Sequence, residues 1–259
     1  MPTGRTTLNN YRVYIGGRDM SCYSRSFGPL SCTFDEGIDD AICLAVKGTW
    51  TGNATVGMGT LNGLFDNTAT IGIHEAMKSV GLSRNVLIAA GIQGAPANND
   101  PAFCGQFVQS GYEAGASENP VTATIPFANT SGLASNLNYA RPWGVLLHAL
   151  KAETAANTAV GLDQLAETAL GGYMMYHITA AAGTGAMTGA VKVQHSTTTN
   201  LDGSFSDLLS SGTINCSGGG VSGVVALAKG ATVGRYVRFQ TAFTLATSIT
   251  YTLAFVRGN

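Results

Sequence analysis

The sequence predicts a mainly β protein, and three observations support that fold class. Residues 249–255 alternate large apolar and small side chains with a period of two, which is typical of a strand with one buried face. Runs rich in β-branched and aromatic residues recur along the rest of the chain. Only one stretch has the spacing of an amphipathic helix. With 259 residues, 45% of them hydrophobic, the chain can form one large β domain or two smaller ones.

The first half of the chain contains six predicted strands and the predicted helix. The strands are predicted over residues 11–17, 30–34, 41–50, 84–92, 103–115 and 120–128. Three apolar residues mark the buried face of the helix: Ile73, Met77 and Val80. Asp66 or Thr68 is predicted to cap it and Gly81 to end it. A helix of about three turns needs a sheet to pack on, because short helices are marginal alone.

The second half is predicted to contain four more strands and a terminal hairpin. The strands are predicted over residues 142–150, 171–180, 189–196 and 223–228, and a short helix at the end of 152–170. Two segments joined through "TLATS" are predicted to form the hairpin. Its buried face is predicted to consist of Val237, Phe239, Thr241, Phe243, Ile249, Tyr251, Leu253 and Phe255. Its opposite face is predicted to consist of Tyr236, Arg238, Gln240, Ala242, Ser248, Thr250, Thr252 and Ala254.

An internal similarity suggests a two-part organisation. Residues 103–128 and 235–256 both show strand, loop and strand, with an aromatic first arm and a threonine-rich second arm. Either a duplication or convergent hairpin chemistry explains this pattern. The predicted domains are 1–141, which includes the helix, and 142–259, a second β domain that is a duplicated unit if the first explanation holds.

The scarcity of charge is the most unusual property of the composition. Charged residues make up 11% of the chain, against about 25% in ordinary soluble domains. No run of about 18 apolar residues predicts a membrane helix, and "MPTGRTTLNN" lacks the apolar core of a signal peptide. We therefore expect an obligate assembly, since permanent interfaces bury roughly 2,000–5,000 Å² and are depleted in charge.

Charge and cysteine content restrict the partners and the compartment. A net charge of −1 and a pI near 6.4 argue against a protein that grips nucleic acid, though not against one that nucleic acid merely passes. Five cysteines without a CxxC pair predict reduced, mostly buried thiols of a protein made in a cytoplasm: Cys22, Cys32, Cys43, Cys104 and Cys216.

None of the common catalytic templates fits the sequence, so no enzyme is predicted. Lys78 stands where the second histidine of an HExxH zinc site would follow His74 and Glu75. No serine lies in a GxSxG elbow, and "GMGTLNG" lacks the features of a phosphate-binding or dinucleotide-binding turn. The histidines are isolated and are predicted to be structural residues with a satisfied nitrogen: His74, His148, His177 and His195.

No metal or cofactor site is predicted either. The acidic segment "FDEGIDD" contains Asp35, Glu36, Asp39 and Asp40 but lacks the spacing of an EF-hand, so a solvated acidic turn is predicted. Cys104 has no neighbour in sequence that would activate it and is predicted to be a core residue.

Several longer phrases resemble one protein family. They are "GTLNGLFDNTAT", "NNDPAFCGQFVQ", "VTATIPF", "RPWGVLLHA", "AETAANTAVG", "GGYMMYH", "VKVQHS" with "GSFSDLL", "RYVRFQ" and "TSITYTLAFVRG". Together they span most of the chain between Gly59 and Gly258. In these phrases the chain resembles the major tail proteins, or tail tube proteins, of bacteriophages with long non-contractile tails.

The resemblance implies a β-sandwich or barrel that joins its neighbours edge to edge in a ring, and rings that stack into a hollow tube. Six copies would complete a ring, or three if the fold is duplicated. The tube would conduct double-stranded DNA without specific binding during ejection, after a tape-measure protein has filled it. Tail terminator and tip proteins would close its ends. The family also implies a place in the virion tail after synthesis in the host cytoplasm, with no membrane partner.

Two parts of the chain supply predicted subunit contacts. Trp50 begins a polar, glycine-rich segment, where a tryptophan either folds back on its own core or anchors a neighbour. The predicted contacts in this segment are Trp50, Thr51, Asn53 and Met58. Thr250 and Thr252 are predicted contacts on the terminal hairpin, whose edges need partners because exposed edges template aggregation. The alternative function is a β-sandwich binding module of a virion that recognises carbohydrate or decorates a capsid.

Overall fold

The described chain is mainly β, which confirms the predicted fold class. The computed structural model describes residues 7–39, 48–69, 71–92, 94–115, 120–128 and 142–258, with the backbone alone for 35–39 and 48–54. Within these residues lie one α-helix, α1 (Ile73–Met77), and two single turns of 3-10 helix, Leu8–Asn10 and Asp202–Ser204. All strand pairs within the sheets are antiparallel.

Ten strands lie in the first half of the described chain and eight in the second. The first half contains β1 (Tyr11–Ile15), β2 (Arg18–Asp19), β3 (Ser24–Gly28), β4 (Ser31–Asp39), β5 (Gly48–Gly57), β6 (Thr60–Leu64), β7 (Ser83–Ala90), β8 (Pro101–Gln109), β9 (Glu113–Gly115) and β10 (Thr122–Ala128). The second half contains β11 (Trp143–Glu153), β12 (Asn157–Thr158), β13 (Leu162–Asp163), β14 (Gly172–Ser196), β15 (Ser206–Ser210), β16 (Ile214–Asn215), β17 (Val221–Ala226) and β18 (Tyr236–Arg257).

One large sheet contains sixteen of these strands. Its main path runs β15-β14-β18-β11-β8-β10-β6-β3. Strand β7 pairs with β8 and β1, the short strands β12 and β13 pair with β18, and β16 and β17 pair with β14. Strands β4 and β5 form a separate two-stranded sheet.

The prediction of a terminal hairpin is wrong, because its two predicted strands form one continuous, bent strand. Strand β18 runs through both arms, and both arms pair with β14 rather than with each other. Strand β14 likewise covers the predicted strands 171–180 and 189–196 without a break. The "TLATS" segment is a bend at which Leu245 has a φ of 61°, and the register of the pair shifts between Gly183 and Thr188.

The bend brings the two halves of β18 together around one apolar core. The ring of Tyr251 lies 6.4 Å from that of Phe239, and the hydroxyls of Tyr251 and Thr241 share a hydrogen bond. We call this the second core; its fully buried side chains include Met174, Ile178, Val193, Val237, Ile249, Tyr251, Leu253 and Phe255. The predicted buried face of the terminal segment is therefore confirmed at these positions. Each such side chain contributes about 1.5–3 kcal/mol when it leaves water.

Two other cores lie in and beside the first half of the chain. The first core is built on β1, β6, β7, β8, β10 and α1, and it includes Ile15, Met58, Leu61, Ile73, Phe103 and Ile125. The middle core joins the two halves of the chain and consists of Tyr14, Leu87, Ala89, Ala102, Cys104, Leu146, Tyr173, Met175, Ala254 and Val256. Cys104 is thus a core residue, as predicted, and burial raises its pKa.

The middle core explains why one face of the terminal strand was predicted wrongly. Leu253 and Phe255 point into the second core, whereas Ala254 and Val256 point into the middle core. Thr252, next to them, is fully buried. This part of β18 is covered on both faces because the second core lies on one face and side chains of β1, β7 and β8 pack against the other in the middle core. Alternation in sequence predicts one buried face and cannot reveal a second layer.

The helix exists but is shorter than predicted. It covers Ile73–Met77, and its N-cap is Gly72 rather than Asp66 or Thr68. The Asp66 carboxylate instead accepts a hydrogen bond from the Thr68 backbone, one turn earlier. Ile73 and Met77 are buried as predicted, but Val80 lies beyond the helix and is exposed.

Three other predictions need correction or fall outside the description. No helix forms within 152–170, where the chain instead forms β12 and β13 along β18. The predicted strand 103–115 is divided into β8 and β9. Most of the predicted strand 41–50 lies outside the described residues. The division at residue 141 and the duplication stay predictions; residues 103–128 form separate strands, whereas 236–257 form one.

Candidate assembly surface

A two-stranded arm is the most distinctive surface feature of the described chain. We use "the arm" for β4 and β5, which pair from Ser31↔Gly57 to Asp39↔Gly48. Neither strand pairs with any other described strand, so the outer edge of each has no partner strand within the described part of the chain. The ten residues of β5, "GTWTGNATVG", contain no charge and no proline, which are the usual protections of an exposed edge. Val56 anchors one end of the arm in the first core. A pair of strands is otherwise marginal in water, so the rest of the arm is suited to pairing with another chain.

Three of the predicted contact residues lie on this arm. Trp50, Thr51 and Asn53 belong to β5, where Trp50 pairs with Gly37 and Thr51 with Glu36. The polar, glycine-rich segment that begins at Trp50 therefore belongs mostly to a strand. The acidic residues Asp35, Glu36 and Asp39 likewise lie on β4 rather than in a turn, and Asp40 lies outside the described residues. As subunit contacts, Trp50, Thr51 and Asn53 stay predictions.

Two predicted contact residues are core residues of the chain itself. Met58 is fully buried in the first core. It is placed there by the turn at Gly59, where φ is 64° and a Cβ would lie 2.3 Å from the carbonyl oxygen of Gly28. Thr252 is also fully buried, and its hydroxyl donates to the His148 carbonyl at 2.9 Å. Neither side chain offers surface to a neighbour. Thr250 is half-buried and stays a prediction.

A cavity of about 590 Å³ lies between the arm and the large sheet. Its walls include Cys32, Phe34, Trp143, Phe255, Gln164 and Arg257. Phe34 and Trp143 are each 45% exposed, and the Trp143 ring is held edge-on to Phe103 at 5.3 Å. Sequence reasoning missed this site, because Trp143 and Arg257 are 114 residues apart and nothing in either local pattern links them.

Arg257 supplies the charge of this cavity, which we call the arm cavity. Its Nη1 donates to the Val233 carbonyl at 2.9 Å and its Nη2 to the Gly234 carbonyl at 2.7 Å. Among the described residues no carboxylate forms an ion pair with it. Burial lowers the pKa of the guanidinium, which still carries its charge at neutral pH.

The most exposed large apolar side chains in the described part of the chain are Val160, Leu165 and Leu201, at 83%, 82% and 72%. Val160 and Leu201 come from neighbouring loops, because the Asn200 amide donates to the Gly161 carbonyl at 2.9 Å. The charges beside them are paired: Arg235 with Asp163 at 2.6 Å, and Arg238 with Asp202. Exposed apolar clusters of this kind mark contact surfaces more often than isolated apolar residues do.

Each of the four histidines has at least one nitrogen within hydrogen-bond distance of a partner, which is the satisfied nitrogen that the sequence predicted. The partners are Tyr112 for His74, Tyr251 and Glu153 for His148, Gly17 for His177 and Gly234 for His195. Only in His177 does a buried nitrogen, Nε2, lack a partner among the described residues. No group of three or more His, Cys, Asp or Glu side chains in the described ranges is arranged to hold a metal ion.

His148 and Glu153 form a buried pair in the second half of the chain. The His148 Nε2 lies 3.0 Å from Glu153 Oε1, and its ring stacks on Tyr251 at 4.0 Å and meets Phe239 edge-on at 4.6 Å. Burial lowers the pKa of His148. Burial alone would raise the pKa of Glu153, but hydrogen bonds led by that of His148 hold it below its ordinary value. The pair ties β11 to both halves of β18.

The cysteines of the described chain do not all match the prediction of mostly buried thiols. Cys104 and Cys216 are buried, Cys32 is half-buried and Cys22 is exposed. Cys43 lies outside the described residues. Among those residues, no helix has both the length and the apolar character needed to cross a membrane.

Comparison with known proteins gives only distant likenesses. No family model matches the chain, and no curated protein matches it. Among solved structures it is similar to the Dit protein (gp 19.1) of phage SPP1, described as a paradigm of hub adsorption apparatus in phages that infect Gram-positive bacteria. The likeness covers 95% of this chain and 97% of that one, with 10% identity and a TM-score of 0.28. A likeness of this size establishes neither a shared fold nor a shared function.

Proposed function

We propose that this chain is a structural protein of a long-tailed bacteriophage, specifically a tail tube subunit that assembles into stacked rings around a conduit for double-stranded DNA. The open-edged arm carries the proposal. Its uncharged strand β5 has ten residues of backbone edge and no partner strand but β4 among the described residues. Together with a charge content of 11%, this favours a chain that buries its edges against copies of itself.

The rest of the proposed role follows from the sequence resemblance and from charge. Few basic residues and a net charge of −1 suit a wall that DNA passes without binding. A ring would contain six copies, or three if the two halves are both tube units. The partners would be a tape-measure protein and the proteins that close the two ends of the tube.

Electron microscopy of the purified full chain tests the proposal. Negative staining across a range of protein concentrations is expected to show rings or tubes, and sedimentation is expected to show mass increasing with concentration. A monomer at every concentration and salt condition would contradict self-assembly. A monomer that binds glycans would instead favour the binding module.

Replacing Trp50 with alanine tests whether the arm makes the contacts between rings. Tube length is expected to fall at least several-fold, because interface tryptophans are frequent binding hot spots. The melting temperature of the unassembled protein is expected to change little. Trp50→Phe is the matched control and should retain most of the tube length. Parallel losses of melting temperature and tube length would place Trp50 in the chain's own core.

A further inference from the structure

The arm cavity has the chemistry of a receptor for an apolar group next to a carboxylate. Its walls are polar and apolar in about equal parts, and the exposed aromatic side chains of Phe34 and Trp143 supply an apolar side. The positively charged Arg257 also lines the cavity. Its hydrogen-bond partners among the described residues are two carbonyls and a hydroxyl, and none is a carboxylate. With a volume of about 590 Å³, the cavity has room for the tip of a loop.

The loop of residues 197–205 presents such a tip in a rigid form. The Ser204 hydroxyl donates to the carbonyl of Leu201 at 2.6 Å and to that of Thr199 at 2.9 Å. The Asn200 amide anchors the loop to Gly161. A loop held by its own hydrogen bonds loses little freedom on binding. It nevertheless holds Leu201 in water, where 72% of the side chain is exposed.

Asp202 gives this tip its charge. Its side chain is 95% exposed, and Arg238 contacts Oδ1. No described group contacts the other carboxylate oxygen. The exposed large apolar residues followed directly by a carboxylate in the described chain are Phe34 and Leu201. Since Phe34 belongs to the arm cavity, Leu201 with Asp202 is the exposed apolar tip whose charge is opposite to that of Arg257.

We propose that Leu201 and Asp202 of one copy insert into the arm cavity of a second copy, with Leu201 against Phe34 and Trp143 and Asp202 facing Arg257. This inference rests on the proposed self-assembly and names one of its contacts. The two surfaces are unlike each other, so each copy can give a tip to one neighbour and receive a tip from another. Contacts between unlike surfaces build closed rings or continuous filaments.

Photo-crosslinking of the assembled full chain tests the contact. A benzophenone amino acid replaces Leu201 in protein of natural isotope content. This protein is mixed with ¹⁵N-enriched unmodified protein, so that a crosslink between two copies joins one peptide of each isotope content. Mass spectrometry is expected to locate these crosslinks in segments 30–36 and 142–146. The same photoreactive residue in place of Leu245, another exposed leucine, is the matched control and is expected to miss both segments.

Substitution supplies an independent readout. Leu201→Arg is expected to raise the concentration needed for half-assembly at least tenfold without changing the melting temperature, and Leu245→Arg to raise it less than twofold. Assembly with crosslinks from position 201 only to other segments, or unaffected by Leu201→Arg, would overturn the contact and leave the proposed function intact. Failure of the unmodified chain to assemble would overturn both.

Discussion

Replacing Leu253 with aspartate is expected to abolish folding. Leu253 is fully buried in the second core, on the half of β18 that pairs with both β11 and β14. An aspartate there would lose the apolar contacts and place a carboxylate where no described cation pairs with it. The combined cost is on the order of 5 kcal/mol or more, comparable with the whole stability of many domains. Soluble yield and circular dichroism would measure the loss.

For a substitution at the neighbouring residue, Thr252, the sequence pattern and the structure predict different results. The alternation predicts that Thr252→Asp folds, because Thr252 was assigned to the outer face. The structure predicts that it also fails, because Thr252 is fully buried and its hydroxyl donates to the His148 carbonyl. A carboxylate at this site would face a carbonyl oxygen without a proton to share. Thr244→Asp, at an exposed position on the same strand, is the control and should fold normally. A stable Thr252→Asp protein would contradict the two-sided burial of β18.

Acidification is expected to destabilise the protein through His177. This side chain is fully buried, its Nδ1 accepts the Gly17 backbone N–H at 3.1 Å, and burial lowers its pKa to about 3. Protonation would turn Nδ1 into a donor facing another donor. The unfolded chain, in which histidine titrates near 6.5, binds the extra proton first. The free energy of unfolding therefore falls as the pH decreases from about 6.5 to about 3, by up to about 1.4 kcal/mol per pH unit.

Chemical denaturation of the unassembled chain at a series of pH values measures this effect. His177→Asn is the informative variant, because an amide oxygen can accept the Gly17 N–H but does not become charged. Its stability is expected to depend less steeply on pH between 4 and 6.5, whatever its stability at pH 7. His148 and His195, whose pKa values are also lowered, contribute with the same sign in both proteins. Equal slopes for the two proteins would show that His177 is not the acid-sensitive group.

The hydrogen bond between Gly17 and His177 is one of several contacts that join the two halves of the chain. Gly17 lies so close to the second half that a Cβ would be 2.3 Å from the Gly220 backbone, and its φ is 84°. The Asn85 amide donates to the Ser222 hydroxyl at 3.0 Å, and the Tyr173 hydroxyl to the Cys104 carbonyl at 3.2 Å. Acid-induced loss of the contact at His177 is therefore expected to affect the packing of the two halves first.

The local alternation of apolar and polar side chains was enough to predict several strands. The alternation of Val237, Phe239, Ile249, Tyr251 and Leu253 predicted which side chains enter the second core, because a strand with period two must place them on one face. The same reasoning predicted β1, β7, β10, β11 and β17 close to their observed positions. It failed for the joint at "TLATS", since a bend in one strand and a turn between two strands require similar residues.

The candidate contacts could be predicted only in part. Trp50, Thr51 and Asn53 were selected as an unusual polar segment around a tryptophan, and the structure adds that they lie on an open-edged strand. Met58 and Thr252 were selected by the same local reasoning and are core residues, because layers distant in sequence cover them. The arm cavity had no sequence signal, since Phe34, Trp143 and Arg257 come from three separate strands.

By itself, the sequence determined that this protein is built from strands, which faces of several strands are apolar, and that charged residues make up only 11% of the chain. Only the tertiary structure decided that β14 and β18 are continuous, that β18 is covered on both faces, and that an arginine and two aromatic side chains share a cavity. The physical reason is the sequence distance over which each property is set. The backbone sets the alternation of side chains within a few residues, whereas layer packing and cavities depend on residues that are far apart in the sequence.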